Sequence, residues 1–115
     1  MAQYENHYCK LFIDSDATKE ELIDMLETFT NGKKKLFRTI VTDFYEIDVN
    51  DNTAFYSEQK PKNDFLYYKF FLDIEPHFNI EESKYIASIA ELIKKLLSKK
   101  INAVPACDFE DELRF

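Results

Sequence analysis

A single glycine in 115 residues leaves no phosphate-cradling loop, because such loops need several positions where the backbone meets the ligand without a side chain. Three prolines are likewise too few for a loop-rich or low-complexity chain. The two histidines, His7 and His77, fall in strand-end or loop contexts with no marked partner, whereas nucleophilic chemistry needs a base beside a serine or cysteine. The two cysteines, Cys9 and Cys107, form no CxxC spacing and no HxxxH pair accompanies them, so nothing supports a zinc site. No apolar run approaches the ~20 residues that cross a bilayer. The opening Met-Ala-Gln-Tyr-Glu-Asn has neither a basic n-region nor an apolar h-region, so a cytoplasmic address is expected, with both thiols reduced. These absences favour a binding protein over an enzyme, with no cofactor, metal or membrane contact expected.

Positive charge is also short. Fifteen Lys and Arg stand against 22 Asp and Glu, for a net charge of −7. Nonspecific affinity for phosphate backbones comes from basic residues, so this balance works against a nucleic-acid ligand. Two clusters run the other way, Lys33, Lys34, Lys35 and Arg38, and Lys94, Lys95, Lys99 and Lys100. An acidic surface favours rapid encounter with a basic partner.

What is present is apolar and aromatic. At 45% hydrophobic and 16% aromatic residues, the chain has material for one domain over 1–115 whose core stands without disulfide or metal. Tyr8 to Asp14 alternates with a period of two and reads as a strand with Cys9, Leu11 and Ile13 inward. Thr18 with Glu21 forms a capping box ahead of the helical stripe Leu22, Met25, Leu26 and Phe29, and Asn31-Gly32 closes that helix, with the glycine at the left-handed position. Leu36 to Val49 reads as one long strand with a bulge near Thr42-Asp43, where the parity of Ile40 and Phe44 breaks. Asn50 to Asp64, with Lys60-Pro61-Lys62 inside it, reads as a long hairpin loop. Phe65 to Glu75 follows as a strand, with Leu66, Tyr68, Phe70, Leu72 and Ile74 inward. Asn79 with Glu82 opens a second helix on the stripe Ile86, Ile89, Ala90, Ile93, Leu96 and Leu97, and Ala103 to Cys107 is a short last strand.

The order strand–helix–strand–strand–helix–strand predicts an α+β fold, a ferredoxin-like βαββαβ sandwich with a four-stranded antiparallel sheet and two helices on one face. First and last strands are neighbours in such a sheet, which would bring Cys9 near Cys107. The opposite face then carries Tyr8, Phe12, Phe65, Tyr67 and Phe71. RNA-recognition modules stack bases on aromatics at comparable positions. Here, however, Asn63-Asp64 stands where a basic residue and a glycine belong, and Asp14, Asp73 and Glu75 would repel phosphate. Burial of these rings against protein, either a partner, a second copy or the long hairpin, accounts for them better. Acidic groups add a second feature. Glu46, Asp48 and Asp51 lie at the far end of the second strand, and Asp108, Glu110, Asp111 and Glu112 form an acidic tail that Phe109 and Leu113 interrupt as if it packed somewhere.

Asp64-Phe65-Leu66-Tyr67-Tyr68 followed by Ile74-Glu75-Pro76, together with the ending Ala106-Cys107-Asp108-Phe109-Glu110-Asp111-Glu112-Leu113, resembles a family of small bacterial proteins. Small acidic bacterial proteins of this size include immunity proteins, which neutralise a toxin delivered by a neighbouring cell. The family the two stretches resemble has no well-defined activity; the broader likeness to immunity proteins implies a non-enzymatic inhibitor of a basic toxin domain, nucleases among them. Charge and the aromatic face together nominate Glu46, Asp48, Asp51, Phe65, Tyr67, Phe71, Asp108, Glu110, Asp111 and Glu112 as partner-binding residues. Two alternatives remain open: a homo-oligomeric small-ligand module that pairs through the sheet face, and an RNA-binding module.

Overall fold

A computed structural model describes residues 3–58 and 64–115. Its elements are β1 (Cys9–Asp14), α1 (Lys19–Thr30), β2 (Lys33–Lys35), β3 (Thr39–Val41), β4 (Tyr45–Asp51), β5 (Phe70–Pro76), α2 (Glu82–Ser98) and β6 (Asn102–Ala106). Short 3₁₀ turns occur at Thr53–Tyr56, Phe65–Tyr67 and Glu110–Leu113. The fold is α+β as expected, but the sheet has six strands in the order β2-β3-β4-β5-β1-β6, all paired antiparallel. It therefore replaces the four-stranded ferredoxin-like sandwich. The Lys60-Pro61-Lys62 part of the expected long loop lies outside the described residues.

The difference arises in the stretch read as one long strand. Thr42 does not sit in a bulge but reverses the chain. Its hydroxyl accepts from the Phe44 and Tyr45 amides at 3.2 and 3.1 Å, and its own amide donates to the Tyr45 carbonyl at 2.9 Å. A hydroxyl that satisfies turn backbone groups in this way competes with continued extension. The reversal puts Ile40 opposite Ile47, which resolves the parity break: both are fully buried on the same face. Upstream, Leu36 adopts a left-handed conformation (φ 57°) in the β2–β3 turn and leaves Phe37 94% exposed at the tip. Phe65 to Tyr67 is also not strand. These residues form a 3₁₀ turn before β5, so Leu66 is exposed and Tyr68 half-buried, while Phe70, Leu72 and Ile74 are buried as expected.

Both helices cover one face of the sheet. Cys9, Leu11, Ile13, Ile47, Val49, Leu72 and Ile74 meet Leu22, Ile23 and Leu26 of α1 and Tyr85, Ile89, Leu92, Ile93 and Leu96 of α2 in one core. The capping box of α1 forms as the spacing predicts, with Thr18 Oγ1 accepting from the Glu21 amide at 3.1 Å and Glu21 Oε1 from the Thr18 amide at 2.9 Å. At the other end the left-handed residue is Asn31 (φ 53°), not Gly32. The glycine serves proximity instead: a Cβ there would lie 2.8 Å from Ile40 Cγ2 and 2.9 Å from the Val41 carbonyl oxygen. Gly32→Ala is expected to cost roughly 1–3 kcal/mol by overpacking. Urea unfolding should show it as a lower midpoint at unchanged slope, and an unchanged midpoint would refute the steric role.

The expected Asn79–Glu82 box is absent. Asn79 is left-handed (φ 64°), a conformation Asn tolerates, and turns the chain between β5 and α2. Glu82 is thereby free to bind the N-terminal segment, accepting from the Gln3 and Tyr4 amides at 2.9 and 3.0 Å and lying 2.7 Å from His7 Nε2. His7 first, then the two amides, hold its carboxyl down at about 2, against an ordinary value of 4.5. A carboxyl whose folded value is depressed stabilises the fold fully above its unfolded value and loses that contribution as pH falls through the folded one. Acid titration should therefore release the N-terminal segment between about pH 4.5 and 2. Amide exchange at Gln3 and Tyr4 is the readout, and Glu82→Gln should remove the transition.

Each edge of the sheet resists strand addition. The β2 edge presents Lys33, Lys34 and Lys35, all exposed, and the β6 edge contains Pro105, which brings no N–H to a ladder. Beyond β6, Phe109 and Leu113 are buried, and the Phe109 ring lies 5.8 Å from both Tyr85 and Tyr4. The acidic tail thus packs against the core through its two apolar residues.

Candidate partner-binding face

The face of the sheet without helices has its own chemistry. Along β4 the residues between the buried ones are Glu46, Asp48 and Asn50, and along β5 they are Glu75, Asp73 and Phe71. Antiparallel register sets these directly opposite one another: Glu46 faces Glu75, Asp48 faces Asp73, and Asn50 faces Phe71. Like charges directly opposite across a strand pair are destabilising. Neighbours relieve part of this. Thr39 Oγ1 donates to Asp48 at 2.6 Å, Asn50 Nδ2 to Asp73 at 3.0 Å, and the Tyr8 hydroxyl also donates to Asp73. Burial first, then that bond to Asp73, pushes the Tyr8 phenol well above its ordinary range, so it remains a donor. Lys35 Nζ stands 3.9 Å from Glu46, and Lys10 lies across from Asp73. Glu75 is exposed and faces only another carboxylate in the ladder.

An aromatic cluster adjoins this carboxylate group. Phe12 and Phe71 are cross-strand neighbours with ring centroids 6.3 Å apart, and Lys10 Nζ sits 4.2 Å from the Phe71 centroid. Phe65 reaches over from its 3₁₀ turn to meet Phe12 edge-on at 5.4 Å. That turn is tied down by Asn52, which is buried and donates to the Leu66 and Tyr68 carbonyls at 2.9 and 2.7 Å. Asp64 accepts from the Leu66 amide at 2.9 Å. Phe12 is consequently only 5% exposed, so the chain itself covers the centre of the cluster, while Phe71 stays half-buried at its border and Tyr67 is half-buried in the same 3₁₀ turn as Phe65.

The nominated residues fall into separate groups. Glu46, Asp48, Phe65 and Phe71 share the outer face, with Tyr67 beside them. Asp51 lies at the end of β4 and pairs with Lys19 Nζ at 3.4 Å. Asp108, Glu110, Asp111 and Glu112 lie beyond β6, two strands away from β4 and β5 at the nearest point. There Arg114 reaches Asp111 and Glu110 at 3.1 and 3.8 Å, and Glu112 accepts from the Tyr4 hydroxyl, which pushes that phenol up to about 12. The tail carboxylates are thus partly neutralised by their own neighbours.

Sequence reasoning did not place Asp73 and Glu75 in the site, although alternation already turned Asp73 outward. The missing information was the register of β4 on β5, which the pattern of either strand alone does not contain. It also placed Leu36 and Phe37 inside a strand, whereas both are exposed at a hairpin tip. Among the described residues no cluster of three or more His, Cys, Asp or Glu is arranged to hold a metal ion, and no helix is long and apolar enough to cross a membrane. Comparison with known protein families, curated proteins and solved structures finds no match to this chain.

Opposed carboxylates make a measurable prediction. Glu75→Gln should stabilise the isolated protein by about 0.2–1 kcal/mol at low salt. The gain should shrink as salt rises, because the Debye length is only about 8 Å at physiological ionic strength. Chemical denaturation at two salt concentrations measures it. A loss of stability would mean the carboxylates are not in conflict.

Proposed function

We propose that this chain is a non-enzymatic protein-binding module of the immunity-protein kind, acting in the cytoplasm by docking a basic toxin domain and covering its working surface. The observation that carries this reading is the two pairs of opposed carboxylates, Glu46 with Glu75 and Asp48 with Asp73, on a face bordered by Phe71 and, in the turn before β5, Phe65 and Tyr67. Such a face is strained alone and relieved by cations. A partner's Arg or Lys set between the carboxylates would form charge-assisted hydrogen bonds, and apolar contact with the aromatic border would supply short-range affinity. Long-range attraction to a chain of net charge −7 would speed the encounter.

Covering of Phe12 by Phe65 weakens the two alternatives. Base stacking needs open ring faces. A second copy is not required to shield a cluster that the chain shields itself.

The test is co-expression with the product of the adjacent gene, followed by pull-down and by a toxicity or nuclease inhibition assay. A complex is expected whose association rate falls steeply with salt. Reversing charge in the double variant Asp48→Lys, Glu75→Lys should lower affinity by at least tenfold, while Asp111→Lys in the tail changes it little. Absence of a complex and of protection would sink the reading. Equal sensitivity to Asp111→Lys would move the interface off the sheet face.

A further inference from the structure

The β1–β6 pairing brings together a second set of reactive groups, remote from the carboxylates. Its register runs Ile13 with Ala103, Leu11 with Pro105 and Lys10 with Ala106, and Cys107 follows in the bend just past β6, one residue beyond the pairing and next to Cys9. Continued by that one residue, the pairing would bring the two to the roughly 4.5–5.5 Å Cα spacing of opposed antiparallel residues. That lies within the roughly 4.4–6.8 Å a disulfide spans. Both cysteines are free thiols, Cys9 fully buried in the core and Cys107 half-buried at the end of the edge strand.

We propose that Cys107 and Cys9 form a thiol–disulfide exchange site for low-molecular-weight disulfides such as glutathione disulfide, with Cys107 as the attacking thiol and Cys9 as the resolving one.

The two environments divide the roles. The neighbouring Cys9 thiol first, and also the Phe109 amide, lower the proton affinity of Cys107, against the opposing influence of burial, Glu110 and Asp108. Cys9 is shifted upward, chiefly by Cys107 beside it and then by burial, with Glu110 adding to it. Tyr85, whose hydroxyl donates to the His7 carbonyl, closes the buried side of the pair. Cys9 is fully buried and Cys107 half-buried, so an incoming disulfide meets Cys107 first. A thiolate, not a thiol, attacks a disulfide.

Cys107 Sγ attacks one sulfur of glutathione disulfide, the S–S bond breaks, and one glutathione leaves as a thiolate that takes up the proton Cys107 gave up. Cys107 is then neutral, so the charge that held the Cys9 proton is gone. Cys9 loses its proton, attacks Cys107 Sγ and expels the second glutathione, which is protonated in turn. Two protein thiols are oxidised to one disulfide, and one glutathione disulfide is reduced to two glutathiones. The new bond ties the start of the acidic tail to β1.

The experiment uses the full chain in a series of glutathione redox buffers, quenched by acid and read by intact mass after alkylation. Wild type should lose two hydrogens and become unreactive to alkylation at both cysteines, with no lasting glutathione adduct. Cys9→Ala should instead accumulate glutathione on Cys107, and Cys107→Ser should remain unmodified while folded. Circular dichroism on each variant verifies folding. Because Cys9 is in the core, the alkylation rates of the reduced wild type provide an independent test: Cys107 should react at least tenfold faster than Cys9. A stable glutathione adduct on wild type, reaction at Cys9 in the Cys107→Ser variant, or alkylation of Cys9 as fast as that of Cys107 would overturn the proposal.

Discussion

Two helices can shield only one face of a six-stranded sheet, and most of the remaining structure answers that constraint. On the shielded face the solution is ordinary: an aliphatic layer from β1, β4 and β5 under the stripes of α1 and α2. On the other face nothing of that size is available. The chain covers the aromatic centre with a single 3₁₀ turn, held in place by the buried Asn52 side chain through two carbonyls. The remainder of the face is surrendered to polar groups, and there the register sets carboxylate against carboxylate. One face is therefore optimised for folding and the other is not. Local conflict of this kind is where a sequence departs from the most stable choice in favour of a task.

The N-terminal segment and the tail show the same economy at the helix side. Neither contributes a strand or a long helix. Each is fastened by a few groups that also serve the core or a helix end: Glu82 in the first turn of α2 receives Gln3, Tyr4 and His7, and Phe109 fits between Tyr4 and Tyr85. Glu82 is well placed for this, since a carboxylate at a helix N-terminus is favoured by the helix dipole whether or not it binds anything else.

Much of this was legible in the sequence, and the failures have physical causes. Alternation in Cys9–Asp14 and in Phe70–Ile74 gave the inward residues, and the helical stripes gave Leu22, Leu26, Ile86, Ile89, Ile93 and Leu96, because burial on one side imposes a period. Leu97 is instead exposed in the last turn of α2, and Ile23, Tyr85 and Leu92 are buried outside the expected stripes. The capping box at Thr18 was equally plain. The long second strand failed because a threonine hydroxyl reverses a chain as well as a glycine does, and no Asn-Gly or Asp-Gly marked the turn. Phe65 to Tyr67 failed because a 3₁₀ turn and a strand can carry the same apolar letters. At Asn79, a residue that serves both as a cap and in the left-handed region served as the latter. The acidic residues were recognised as a feature, but the partnership of Glu46 with Glu75 depended on strand register, a long-range property that composition and spacing do not contain.

The lysines of β2 and the proline of β6 close both ends of the sheet to an incoming backbone. On the proposed function, recognition would then be written in side chains alone, on a surface where β4, β5 and the neighbouring turn fix the positions but not the identities. Glu46 and Glu75 can each change without disturbing a core residue or a ladder hydrogen bond, whereas Asp48 and Asp73 hold Thr39, Asn50 and Tyr8. Such a scaffold would permit rapid divergence: a lineage could exchange one partner for another by a handful of surface substitutions, and closely related copies with the same fold could become blind to each other's targets.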